Sequence, residues 1–214
     1  ATDDPNLSSA SAPGADAFRW FFYASNPPWS NTRHSLSNVR ATQKETLIKL
    51  RNVYSFFTIY ANIDGFTPKK TPFEKRSELD RWILGELSSL TTNVTTALDA
   101  YDVYGPTQRI TDFVESLSNW YVRRSRPRFW KSDSDIDKQS AYDTLYECLV
   151  TLAKLLAPFV PFMAEEVHQN LVRKAGAGEV SVHMESWPTA DPSHVDAKLS
   201  ERMGTMRDLV SLGL

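Results

Sequence analysis

Leu36, Val39, Gln43, Leu47, Leu50, Tyr54, Phe57 and Ala61 step along the chain by three and four, one mostly apolar stripe on a long helix. Asp64-Gly65 ends that pattern, and Pro68-Lys69-Lys70-Thr71-Pro72 reads as a loop. Ser77 then has the chemistry of an N-cap, with Glu78 and Asp80 in the turn that follows. Leu79, Ile83, Leu87, Leu90, Val94, Leu98 and Tyr101 carry the buried face of that second helix. Pro106 suits the first turn of a third, continued by Ile110, Phe113, Leu117, Trp120 and Tyr121 and disturbed near its end by Pro127. A fourth runs from about Asp137 through Tyr142, Leu145, Leu149, Leu152 and Leu156. Pro161 opens a fifth over 162–171, and 199–212 forms the last.

Long helices with short connections predict an all-α chain, a bundle of antiparallel neighbours. Residues 1–12 are small and polar and read as a linker or chain end. Residues 13–33 form a separate aromatic-rich segment, with Phe18, Trp20, Phe21, Phe22 and Tyr23 ahead of the Pro27-Pro28 stop. The bundle is expected over 34–175. Residues 176–214 then supply a short extended piece near 181–187 and the C-terminal helix. Ser132 to Asp135 is a polar break between helices.

Composition fits this picture. Eight glycines in 214 residues favour helices over a many-stranded sandwich. The single cysteine, Cys148, excludes an internal disulfide framework or a cysteine-caged zinc and fits a reducing, cytoplasmic setting. No apolar run approaches the ~20 residues of a bilayer span, so no membrane partner is expected. The opening Ala1-Thr2-Asp3-Asp4 fits a processed terminus or a piece of something longer.

Catalytic signatures are missing from the sequence: it has no G-x-G-x-x-G, no G-x-x-x-x-G-K and no G-x-S-x-G. Glu165 and His168 make one Glu-x-x-His pair, half of what a bundle dimetal site needs, and no H-x-x-x-H occurs. The informative stretch is Asn119-Trp120-Tyr121-Val122-Arg123-Arg124-Ser125-Arg126-Pro127-Arg128-Phe129-Trp130-Lys131. It carries a local charge of +5 within a chain of net charge −2. Guanidinium forks match phosphate oxygens, and Tyr121, Phe129 and Trp130 offer faces for unpaired bases, as an RNA-binding surface requires. A structural role is equally open, with the tryptophans in the core and arginines paired to Asp112, Glu115 or Asp133.

The block from Trp120 to Trp130 closely resembles a signature of the isoleucyl-tRNA synthetases. Gly14-Ala15-Asp16-Ala17-Phe18-Arg19-Trp20, Asn26-Pro27-Pro28-Trp29 and Asp80-Arg81-Trp82-Ile83-Leu84 agree with that family in the same order. So do Leu155 to Glu166, a block shared more widely among class I synthetases, and Ser181-Val182-His183 through Trp187-Pro188. The resemblance implies that 13–33 is a stem-contact segment and that 34–175 is the helical anticodon-binding bundle of the class I type. It places the HIGH and KMSKS motifs, the nucleotide-binding sheet and the editing domain upstream of residue 1, and a zinc-bearing part downstream. The chain itself would then carry no catalysis and no cofactor. The parent would join isoleucine to its tRNA with ATP and Mg, with Zn in the C-terminal part of many members. Its partners would be the anticodon stem-loop of tRNA for isoleucine and the catalytic and editing domains of the same chain. The resemblance places Arg123, Arg124, Arg126, Arg128, Phe129, Trp130 and Lys131 at the tRNA. Arg124, Arg128 and Lys131 are expected on phosphate, Arg123 and Arg126 shared between phosphate and internal acids, and Phe129 or Trp130 stacked on a base. Arg19 is expected to tie its segment to the catalytic core. The alternative from another class is a helical protein–protein module that docks this basic-aromatic patch on an acidic partner.

Overall fold

A computed structural model describes residues 12–131 and 135–213, so most of the 1–12 linker and all but the last residue of the 132–135 break lie outside the described residues. Seven helices carry the described chain, and no β-strand occurs among these residues. They are α1 (Ala15–Ala24) and α2, which runs Leu36–Gln43, through a π turn at Lys44–Ile48, into Lys49–Asp64. Next come α3 (Glu78–Asp99) and α4, formed by Tyr104–Glu115, a π stretch at Ser116–Val122 and Arg123–Trp130. The chain continues with α5 (Ile136–Leu156), α6 (Pro161–His168, closing in a π turn at Gln169–Arg173) and α7 (Ala197–Leu212).

Local chemistry sets these boundaries. Ser77 and Asp80 form a reciprocal capping box that opens α3. Asp102 accepts the N–H groups of Tyr104 and Gly105, so α4 starts two residues ahead of Pro106. Asp135 and Asp196 cap α5 and α7, and Pro161 occupies the first turn of α6. Gly65, at φ 61°, supplies the left-handed residue that ends α2, and the Phe66 N–H closes on the carbonyl of Ala61 at 2.9 Å.

The three π turns leave no mark in a three-four spacing pattern. A wide turn adds a residue without a matching rise and rotates the stripe beyond it. In α2 this divides the helix between two clusters: Val39 packs with Ala17 and Phe21 of α1, whereas Leu47, Leu50, Val53 and Phe57 join the main core.

The main core also takes in residues from both ends of the chain, including Trp20, Val182 and Leu199. Trp20 meets the Phe159 ring edge-on at 6.1 Å. Arg19 donates to the carbonyls of Phe159 (3.0 Å) and Pro158 (2.8 Å) and so holds α1 to the α5–α6 corner. The extended piece expected near 181–187 differs. Ser181 and Glu185 are extended, but Val182–Met184 makes a 3-10 turn because the Ser181 hydroxyl oxygen accepts the His183 N–H, and burial of Val182 fixes the turn on the core. Glu165 accepts the Ser181 hydroxyl at 2.8 Å and the Val182 N–H at 2.9 Å, while buried His168 pairs with the Glu179 carbonyl at 2.9 Å. The Glu-x-x-His pair is thus spent on holding the 179–182 segment. No helix is long and apolar enough to cross a membrane among the described residues.

Candidate nucleic-acid interface

The Arg-rich stretch lies on α4, and helical geometry splits it between two faces. Tyr121, Ser125, Arg128 and Phe129 recur at i, i+4, i+7 and i+8 and point inward. Arg123, Arg126 and Trp130 recur at i, i+3 and i+7 and point to solvent, with Arg124 beside them.

Inward, the anchor is Asp80, fully buried at the start of α3. Its carboxylate accepts both Arg128 Nη groups at 2.7 Å, the Tyr121 hydroxyl at 2.7 Å and the Ser140 hydroxyl at 2.8 Å. Burial alone would push this carboxyl up. The paired guanidinium, Tyr121 and Ser140 outweigh that and hold it below the usual carboxylate range. Burial likewise works to lower the Arg128 value, and the Asp80 charge more than restores it. Tyr121 is pushed well above its ordinary value by burial and then by Asp80. Arg128 also bonds the Asp137 carboxylate at 2.8 Å and the Asp137 carbonyl at 3.0 Å. One carboxylate therefore joins α3, α4 and α5.

This corrects the expectation that Arg128 faces phosphate: its side chain is only 13 % exposed and its fork is filled by two acids. Phe129 is likewise no stacking platform, because it is buried edge-on against Tyr142 at 4.8 Å and Phe56 at 5.1 Å. Of the sharing expected for Arg123 and Arg126, the part with internal acids is not seen among the described residues. Both are exposed with no ion pair among the described residues, and Glu115 is taken by Lys49 and Asn119. Asp133 lies outside the described residues. Arg124 is exposed and stacks its guanidinium over the Trp120 ring at 4.4 Å, with Arg207 of α7 at 5.8 Å from the same ring. Trp130 is 56 % exposed and its Nε1 donates to the Tyr60 hydroxyl at 2.8 Å, which fixes the ring at the end of α2. Lys131 is 45 % exposed and pairs loosely with Asp137 at 3.2 Å and Asp135 at 3.5 Å.

Asp80, missed by reasoning on the Arg-rich stretch alone, is the residue that orients this face. The inward stripe from Tyr121 to Phe129 was available as a signal; the acid that meets it, 48 residues before Arg128, was not. A groove of about 550 Å³ borders the patch between α3, α4 and α7, lined among others by Arg109, Asp112, Trp120 and Arg207. No group of three or more His, Cys, Asp or Glu side chains able to hold a metal ion occurs among the described residues.

The site is thus an all-helical bundle with a cationic helix face outside and an ion-paired lock inside. Residues 80–213 match the family described as the anticodon-binding domain of tRNA ligase, and the chain belongs to that family. The isoleucine–tRNA ligase of Dehalococcoides mccartyi is 51% identical over 202 residues, covering 94% of this chain and 20% of that protein. Its counterpart in Thermus thermophilus is 47% identical over 202 residues, covering 93% of this chain and 19% of that protein. The chain thus spans about one fifth of the length of these relatives. The crystal structure of an Agrobacterium radiobacter K84 LeuRS–tRNA–LeuAMS ternary complex shares the fold, with a TM-score of 0.63 at 19% identity over 91% of this chain and 22% of that one.

Proposed function

We propose that the outer face of α4 binds the sugar-phosphate backbone of the anticodon stem-loop of tRNA for isoleucine. Arg123, Arg124, Arg126 and Lys131 meet phosphates, and Trp130 offers its open face to a loop base. Arg128 and Phe129 act behind them as positioning residues: the first locks α4 to Asp80, the second seats it on the core. The observation that carries this reading is the pair Arg123 and Arg126, exposed and without an ion pair among the described residues, on a helix whose neighbouring arginine is pinned by a buried carboxylate. An A-form stem is recognised through its backbone, and a rigid row of unpaired guanidiniums matches that target.

The family match and the isoleucine–tRNA ligase relatives favour RNA over an acidic protein as the occupant. In the parent, the bundle holds the tRNA so that its acceptor end reaches a catalytic domain, which attaches isoleucine using ATP and Mg in the cytoplasm. Zinc belongs to other parts of such a parent. No step of that chemistry runs through residues described here; their work is to bind and orient.

Anisotropy titration of the chain with an isoleucine tRNA transcript, against a noncognate tRNA, tests this. Arg123→Ala/Arg126→Ala should weaken binding at low salt by about tenfold or more without unfolding the chain. Unchanged affinity in that variant would remove the outer face of α4 as the binding surface.

A further inference from the structure

The connection between α2 and α3 is held more firmly than a bundle loop requires. Buried Asp143 of α5 accepts the backbone N–H groups of Lys69 and Thr71, both at 3.0 Å, and the Thr71 hydroxyl at 2.6 Å. On the other side of Thr71, Arg76 donates Nε to its carbonyl at 2.9 Å and extends to Thr144 at 3.0 Å and Glu147 at 2.9 Å. Gln139 donates to the Thr67 carbonyl at 3.2 Å, and the Phe66 ring stacks on Tyr142 with centroids 5.0 Å apart. These contacts use backbone groups of the loop, the Thr71 and Arg76 side chains and the Phe66 ring, and leave out the Lys69 and Lys70 side chains. Both lysines are exposed and have no ion pair among the described residues.

Lys70 is also strained. Its φ of 52° is left-handed, a conformation that costs a side-chain-bearing residue energy and persists only where the surroundings impose it. The N–H groups gripped by Asp143 belong to the residues on either side, so the buried carboxylate holds Lys70 in this turn. The connection leaves α2 close to where α4 ends. Lys138 Nζ bridges Asp64 at the end of α2 (2.8 Å) and the Lys131 carbonyl just past α4 (2.7 Å).

We propose that the Lys69–Lys70 tip is a second RNA-phosphate contact, continuous with the cationic face of α4, and that Asp143 is its positioning residue. This rests on the tRNA reading above. A rigid loop presents its charges with little ordering entropy left to lose on binding, which is the service Asp143 provides. Its role has an unusual signature, because a negative residue here strengthens the binding of a polyanion.

The test is a salt series, from about 50 to about 200 mM, on the 214-residue chain with a labelled isoleucine tRNA transcript. Lys69→Ala/Lys70→Ala should reduce the slope of log K against log salt by about 1.4–1.8, two contacts at ~0.7–0.9 each. Lys70→Gly should keep the wild-type melting temperature, since glycine accepts positive φ, and still lose about half that slope. Asp143→Asn makes the chain more positive by one charge, so bulk electrostatics predicts tighter binding; loss of the loop geometry predicts weaker binding, several-fold. Wild-type slopes in the lysine variants, or tighter binding by Asp143→Asn, while Arg123→Ala/Arg126→Ala weakens, would overturn the loop proposal and leave the α4 reading standing. A folded wild-type chain with no salt-dependent binding would overturn both.

Discussion

At Arg128 a guanidinium with little exposure meets a carboxylate with none, and water has been removed from both. At Arg123, five residues earlier, the same group stands in solvent. The difference is a matter of angle on the helix: Arg128 shares the stripe of Tyr121, Ser125 and Phe129, and Arg123 that of Arg126 and Trp130. Their substitutions should therefore part company. Arg128→Ala leaves Asp80 buried without its counter-charge and should cost about 3 kcal/mol or more of stability, whereas Arg123→Ala and Arg126→Ala should each stay within about 0.5 kcal/mol. Urea melts of the three variants check this, and similar stabilities would refute the division. The cationic stretch was plain from the sequence, and so was its period. Which acid Arg128 meets on that inward stripe is a tertiary fact that local spacing does not hold.

Among the elements, capping chemistry made helix boundaries legible: Ser77 opens α3, Pro161 opens α6 and Asp64-Gly65 closes α2, each within a residue or two of the pattern. The π turns were not legible, since they arise where packing on two clusters demands a rotated stripe, as between Val39 and Leu47. The 3-10 turn at Val182–Met184 was hidden for a related reason, because alternation in a short stretch does not reveal the Glu165 carboxylate that receives it. Asp80 works at this scale too, tying three helices through one titratable group. Its folded pKa lies below the unfolded value of ~3.9, so its stabilisation is complete above that value and is lost as pH falls through the lowered folded one. Thermal melts between neutral pH and about pH 2 should show a steep acid decline for the wild type. Asp80→Asn should start about 3 kcal/mol lower and decline less steeply. Parallel declines in the two proteins would show that other carboxylates govern the acid limb.

For the whole molecule, a net charge of −2 conceals a surface on which cations are gathered along one helix face. The global sum would argue against a polyanionic partner; the arrangement argues for one, since counterion release depends on local neutralisation of phosphates. Fold and family were both legible from the sequence, through helix periodicity and the block from Trp120 to Trp130, and the bundle and the match over 80–213 bear them out. The exposure of the proposed contact face was legible only in part: Arg128 and Phe129 turn inward, and Arg123, Arg124, Arg126, Trp130 and Lys131 remain exposed. The most direct test of this account is the salt dependence of tRNA binding by the wild-type chain. Four phosphate contacts from α4 and Lys131 predict a slope of roughly −3 to −3.5 and a loss of about two decades in affinity between about 50 and 200 mM salt, steeper still if the Lys69–Lys70 tip adds its share. A slope shallower than about −1.5 would mean that fewer than two phosphates are met, and would contradict the claim that this helix face is the RNA surface.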